Sequence, residues 1–118
     1  MCLKAKVAIL TSPNQWFIPY AKALQRQILQ CDLYFSCEDF KQSYTLVFIL
    51  SYYKILSSDF LQQHKHNLVI HASNLPKGKG WSPLFWQFLE GSNEIVFSLF
   101  GTDTRVDSGD IYLQKLCF

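Results

Sequence analysis

The sequence predicts an α/β fold, a mostly parallel sheet flanked by helices, on three observations. Short unbroken apolar runs, residues 7–10 and 45–50, have the pattern of strands covered on both faces. Between such runs, apolar residues recur at intervals of three and four, the spacing of one helical face. Strand and helix patterns alternate along the chain, which is the mark of βαβ units and a parallel sheet.

The first strand spans residues 4–12, with Val7, Ala8, Ile9 and Leu10 in one stretch, and Ser12, Pro13 and Asn14 break it. Phe17, Tyr20, Ala21, Leu24, Ile28 and Cys31 then form one apolar helical face. Pro19 lies in its opening turn, where a missing N–H is tolerated. Residues 33–35 suggest a short second strand, followed by a polar connection through Glu38, Asp39, Lys41 and Gln42. Residues 45–50 form a third strand. Ser57, Ser58 and Asp59 offer N-cap chemistry for a short helix through Leu61 that ends near Lys65, with basic residues at its negative end.

Residues 67–71 are the next strand, and residues 72–81 a loop with Pro76, Gly78 and Gly80. Ser82 can cap a helix from Pro83 that stops at Gly91. Residues 94–100 and 111–116 are the last strands, separated by a turn at 107–110.

At 118 residues the chain suits one domain, spanning residues 1–118, since domains run to about 100–200 residues. Its 49% hydrophobic and 16% aromatic content supplies a packed core and excludes global disorder. The net charge of +2 is scattered, so charge points to no nucleic-acid partner. The run at 45–50 is far short of the ~20 residues of a membrane span. Val7 to Leu10 is likewise short of the ~7–15 residues of a secretion signal. A cytoplasmic location is expected, with Cys2, Cys31, Cys37 and Cys117 as reduced thiols that fill space.

In open α/β sheets, ligands bind beyond the carboxyl ends of the strands. That rule selects residues 12–16, 51–53 and 71–82, and it places Ser51 among the cofactor-binding candidates. His64, His66 and His71 lack a suitably spaced Cys or carboxylate, so no metal is expected, and His64 and His66 are placed at a helix end. Ser73 lacks the Gly-x-Ser-x-Gly elbow of a serine hydrolase.

The segment from His71 through Asn74, Leu75, Pro76, Lys77, Gly78, Lys79, Gly80 and Trp81 to Pro83 resembles the signature of the formyltransferase family. That family includes methionyl-tRNA, glycinamide ribonucleotide and sugar-nucleotide N-formyltransferases. Its members carry a strand ending Asn-x-His, then Ser-Leu-Leu-Pro, Arg-Gly and Pro, and further on Asp-x-Gly-Asp. Here Asp107-Ser-Gly109-Asp110 matches the second block, and Trp86-Gln-Phe-Leu-Glu-Gly91 resembles short bacterial members that modify surface sugars.

The resemblance implies a Rossmann-like formyltransferase fold and formyl-tetrahydrofolate as formyl donor. The acceptor it implies is a primary amine, that of a nucleotide-linked amino sugar in surface-glycan biosynthesis. It makes His71 and Asp107 catalytic, the aspartate orienting the imidazole. It gives Leu75, Pro76, Lys77, Gly78, Lys79 and Gly80 to the donor pocket. Lys79 stands at the family's Arg and keeps its charge without the bidentate fork.

Val69 falls at the family's Asn and offers no oxyanion donor, a loss worth about 10²–10³ in rate elsewhere. Asn67 is two strand residues back, roughly 6.6 Å at strand rise, so Asn74 is the expected substitute. An alternative reading also stands. The chain ends at Phe118 straight after a strand, where the family continues, which fits a C-terminally incomplete domain without turnover. Its last strand, with Ile111, Tyr112, Leu113 and Leu116, would then be an edge open to self-association or a partner. A bare nucleotide-binding module is disfavoured, because residues 12–16 lack a glycine-rich phosphate loop.

Overall fold

The computed structural model describes residues 5–71, 95–102 and 111–117. The chain forms two compact units, Met1–Asn67 and Leu68–Phe118.

The first unit is built on β1 (Val7–Thr11), whose five residues are all buried. Burial on both faces is why this run carries no polar alternation. Strand β1 pairs in parallel with β2 (Cys31–Tyr34) on one side and β3 (Leu46–Leu50) on the other. Val7 lies opposite both Cys31 and Leu46, and Thr11 opposite Leu50, so β1 and β3 end together. Strand β3 starts one residue later than the apolar run suggests. The Thr45 N–H instead bonds the Lys6 carbonyl at 2.9 Å, ahead of the ladder.

Helix α1 (Ile18–Gln27) begins with Pro19 in its first turn, as its missing N–H allows. It ends four residues before Cys31, which opens β2 rather than closing the helical face. The cause is local: Ile28 is extended and Gln30 takes φ 57°, reversing the chain so that the Gln30 carbonyl accepts the Val7 N–H at 3.2 Å. The inward stripe is also displaced from the expected one. Ala21 is buried, Tyr20 and Leu24 are exposed, and half-buried Gln25 donates from Nε2 to the Cys31 carbonyl at 3.1 Å.

A 3-10 turn (Cys37–Asp39), capped by the Ser36 hydroxyl on the Glu38 N–H, punctuates the polar connection after β2. Helix α2 (Ser58–Gln63) has Ser57 as its N-cap, the Oγ accepting the Phe60 N–H at 3.1 Å. The expected end near Lys65 is corrected to Gln63, and no basic residue occupies the last turn. Lys65 has already left the helix, since its N–H bonds the Tyr44 carbonyl at 3.0 Å.

Strand β4 (His66–His71) runs from the first unit into the second. In the second unit it pairs antiparallel with β5 (Ile95–Gly101), which pairs antiparallel with β6 (Ile111–Cys117). The β5–β6 register shifts between Leu99 and Phe100. Ser98 and Phe100 of β5 are fully buried. The α/β class is therefore the one observed, its parallel ladder centred on β1 and its antiparallel pairs in the second unit. The helix expected from Pro83 to Gly91 and the turn at 107–110 lie outside the described residues.

Candidate functional site

The common ending of β1 and β3 brings two of the three sequence-selected segments together. The Tyr53 N–H donates to Ser12 Oγ at 2.8 Å. Gln15 Nε2 donates to the Ser51 carbonyl at 2.5 Å, and the Tyr53 hydroxyl donates to Gln15 Oε1 at 3.3 Å. One glutamine amide therefore ties the loop after β1 to the loop after β3. Asn14 and Ser51 take φ of 63° and 48°. Asn tolerates the left-handed region, whereas Ser51 holds it against the usual steric cost.

The segments after β1 and β3 are aromatic and carry no acid, while Glu38 and Asp39 follow β2, where the Cys37 N–H donates to the Tyr52 hydroxyl at 3.2 Å. Trp16, Tyr20 and Tyr53 are exposed, with the Trp16 and Tyr20 rings edge to face at 6.2 Å. Residues 12–27 and 51–57 contain Lys22, Arg26 and Lys54 but no Asp or Glu. The first amides of α1 are taken: the Ile18 N–H bonds Gln15, those of Tyr20 and Ala21 bond Phe17, and Pro19 has none. The Ile18 and Tyr20 amides are therefore committed within the chain. Hydroxyls, an amide and rings can bind a ligand here, but no group in these segments serves as a base near neutral pH.

The third selected segment begins at the carboxyl end of β4. His71 is the last residue of that strand, with Ser98 of β5 as its backbone partner. Asn74, Leu75, Pro76, Lys77, Gly78, Lys79, Gly80 and Asp107 lie outside the described residues. Ser51 is described; it is exposed at the end of β3 with its carbonyl engaged by Gln15. Asn67 is buried and spends its Nδ2 on the Leu61 carbonyl at 2.9 Å, so it is committed to α2. Val69 is half-buried.

The sequence reading missed a polar-aromatic cluster at the other end of β3. Tyr44 is buried; its hydroxyl donates to Asp32 Oδ2 at 2.6 Å and pairs with the Tyr34 hydroxyl. Burial first, then these two bonds, hold the Tyr44 phenol well above the usual range. Phe40 stacks on Tyr34 at 4.2 Å, and His64 packs against Phe40, Tyr44 and Phe60. Phe60 and His64 lie four residues apart across the end of α2, but Phe40 and Tyr44 share no helix, so the cluster as a whole left no periodic signal. His64 is the C-cap of α2, as its expected place at a helix end requires, and His66 is exposed.

Burial also raises the thiols of Cys31 and Cys37 above their ordinary value. Among the described residues, no three His, Cys, Asp or Glu side chains gather to hold a metal ion. No described helix is long and apolar enough to cross a membrane.

A parallel ladder whose strand-end loops converge, its strands joined through helices, defines a Rossmann-like α/β protein. The formyl transferase family matches residues 36–118, and the chain belongs to that family. A methionyl-tRNA formyltransferase of Anaeromyxobacter dehalogenans (strain 2CP-C) is 34% identical over 68 residues, which are 57% of this chain and 22% of that protein. The chain thus matches less than a quarter of that relative's length. The methionyl-tRNA formyltransferase from Clostridium thermocellum superposes with a TM-score of 0.79 at 17% identity, over 94% of this chain and 52% of that one. The formyltransferase PseJ from Anoxybacillus kamchatkensis superposes with a TM-score of 0.65 at 20% identity, over 95% of this chain and 60% of that one. That crystal structure holds UDP-4,6-dideoxy-4-formamido-L-AltNAc and tetrahydrofolate.

Proposed function

We propose that the chain carries out formyl transfer from formyl-tetrahydrofolate to a primary amine, that of a nucleotide-linked amino sugar in surface-glycan biosynthesis. The observation that carries this is the position of His71, the terminal residue of β4 inside the family-matched segment. Ligands of open α/β sheets bind beyond such strand ends. His71 takes the proton that the attacking amine loses, and Asp107 orients its ring and stabilises the imidazolium. Asn74 supplies a hydrogen bond to the developing oxyanion where Val69 has none. Leu75, Pro76, Lys77, Gly78, Lys79 and Gly80, with Ser51, hold the donor. The sugar acceptor is supported by the fold shared with PseJ, whose crystal structure holds a UDP-sugar and tetrahydrofolate.

The test is a single-turnover assay with formyl-tetrahydrofolate and an amino-sugar nucleotide. His71→Ala should lose about 10²–10⁴-fold, the usual worth of a positioned acid–base group. Equal rates in this variant and the parent overturn the assignment. A second reading, a domain that binds without turnover, is favoured by one observation: Val69 is hydrocarbon and Asn67 is engaged by Leu61. Folate binding by a folded parent that transfers no formyl group would select it.

A further inference from the structure

His64 ends α2 inside a cage of rings. It is 3% exposed, with ring centroids at 4.7 Å from Phe60, 5.1 Å from Phe40 and 5.8 Å from Tyr44. Its Nδ1 accepts the Tyr44 main-chain N–H at 3.1 Å. An accepting Nδ1 carries no proton, so the neutral ring bears it on Nε2, which has no hydrogen-bond partner among the described residues. The next two residues continue the same seam. The Lys65 N–H bonds the Tyr44 carbonyl and the His66 N–H bonds the Thr45 carbonyl, each at 3.0 Å. The imidazole is thus the first rung joining the chain that enters β3 to the chain that enters β4.

Among the described residues, the charges around this ring offer an imidazolium no direct partner. Its caging rings come from the end of the 3-10 turn, the approach to β3, and α2. Of these only Tyr44 titrates. The Asp32 carboxylate meets the Tyr44 hydroxyl, at the far end of that side chain from the N–H that bonds His64. Asp59 of α2 and the flanking Lys65 and His66 are exposed.

We propose that His64 is an acid-sensitive latch: protonation of Nδ1 removes the acceptor of the Tyr44 N–H and places a charge among rings, opening this seam while the β2-β1-β3 ladder stays paired. Burial holds the imidazole below its ordinary value of 6.5, which favours the neutral form in the fold. The folded value lies below the unfolded one, so the latch is fully closed above about pH 6.5. It weakens as pH falls below that point and levels off beneath the folded value. One coupled proton changes the opening equilibrium by at most about tenfold per pH unit.

The test is amide exchange by NMR on the whole chain between about pH 7.5 and about pH 5, the range in which histidines switch, corrected for intrinsic rates. Protection at Tyr44, Lys65 and His66 should fall toward the tenfold-per-unit limit, while Ile9 and Val47 keep theirs. In His64→Asn the amide oxygen stands near the place of Nδ1 and does not titrate, so protection at the three amides should be flat with pH. Flat protection in the parent, an equal slope in the variant, or simultaneous loss at Ile9 and Val47 overturns the latch. Should His64→Asn not fold, the parent decides: a His64 ring that titrates at the unperturbed value refutes the proposal.

Discussion

Gln15 Nε2 donates to the Ser51 carbonyl at 2.5 Å, so a side chain from the loop after β1 holds the backbone of the loop after β3 at a left-handed residue. The same amide accepts from the Tyr53 hydroxyl, which makes Gln15 the link between the two strand-end segments. Gln15→Ala removes both bonds at a half-buried position, where each is worth about 0.5–1.5 kcal/mol. Denaturant unfolding should show a loss near the lower end of that range. Amide exchange should quicken at Tyr52 and Tyr53 while Val47 is unaffected.

A second left-handed residue gives a stabilising change. Gln30 holds φ 57° where α1 turns back toward β2, and its exposed side chain makes none of the hydrogen bonds found among the described residues. An L-residue pays about 1–2 kcal/mol in this region, and glycine does not, although its unfolded chain is more mobile. Gln30→Gly should raise the denaturation midpoint by an equivalent of a few tenths to about 1 kcal/mol. An unchanged or lowered midpoint argues against strain at this turn.

What the sequence made legible depended on whether a residue's role was local. Strand β1 could be read because burial on both faces leaves an unbroken apolar run, and the α2 cap because Ser57 acts three residues ahead. The end of α1 was misread because Cys31 continues the three-to-four spacing, while the residue that breaks it, Gln30, carries no breaker chemistry. The inward face went to Gln25 over Leu24 because a main-chain carbonyl, that of Cys31, lay within reach. Neither the Tyr44–His64 cluster nor the Gln15 bridge could be read from periodicity, since each joins segments 20 or more residues apart. The strand-end rule did foretell that residues 12–16 and 51–53 meet, because parallel strands that start in register end together.

The Tyr44 phenol gives an alkaline prediction. Its folded value is raised above the ordinary 10, burial first and the bonds to Asp32 and Tyr34 next. Its contribution is therefore fully present below about pH 10, and is lost as pH rises past that point, where the unfolded phenol ionises first. Tyr44→Phe should cost about 1–2 kcal/mol near neutral pH through the lost hydrogen bonds. It should also flatten the alkaline limb of the stability profile. A variant whose alkaline limb matches the parent's assigns that limb to another tyrosine.

The last prediction separates Asn67 from the chemistry proposed for His71. Leu61 lies in the final turn of α2, where the last four carbonyls have no partner within the helix. The Asn67 Nδ2 supplies one to it at 2.9 Å, inside a residue that is 7% exposed. Asn67→Ala strips that donor from a covered carbonyl and also removes the buried Oδ1, which has no partner among the described residues. The first change destabilises and the second relieves a cost, so the net should be a loss of about 1–2 kcal/mol. An amide committed to a helix end cannot also serve a formyl oxyanion, so formyl transfer per folded molecule should match the parent. Activity should be normalised to the folded fraction, measured by unfolding under the assay conditions. A fall of tenfold or more at full folding would return Asn67 to the catalytic set. An unchanged rate with a lowered midpoint keeps it as the donor to the last turn of α2.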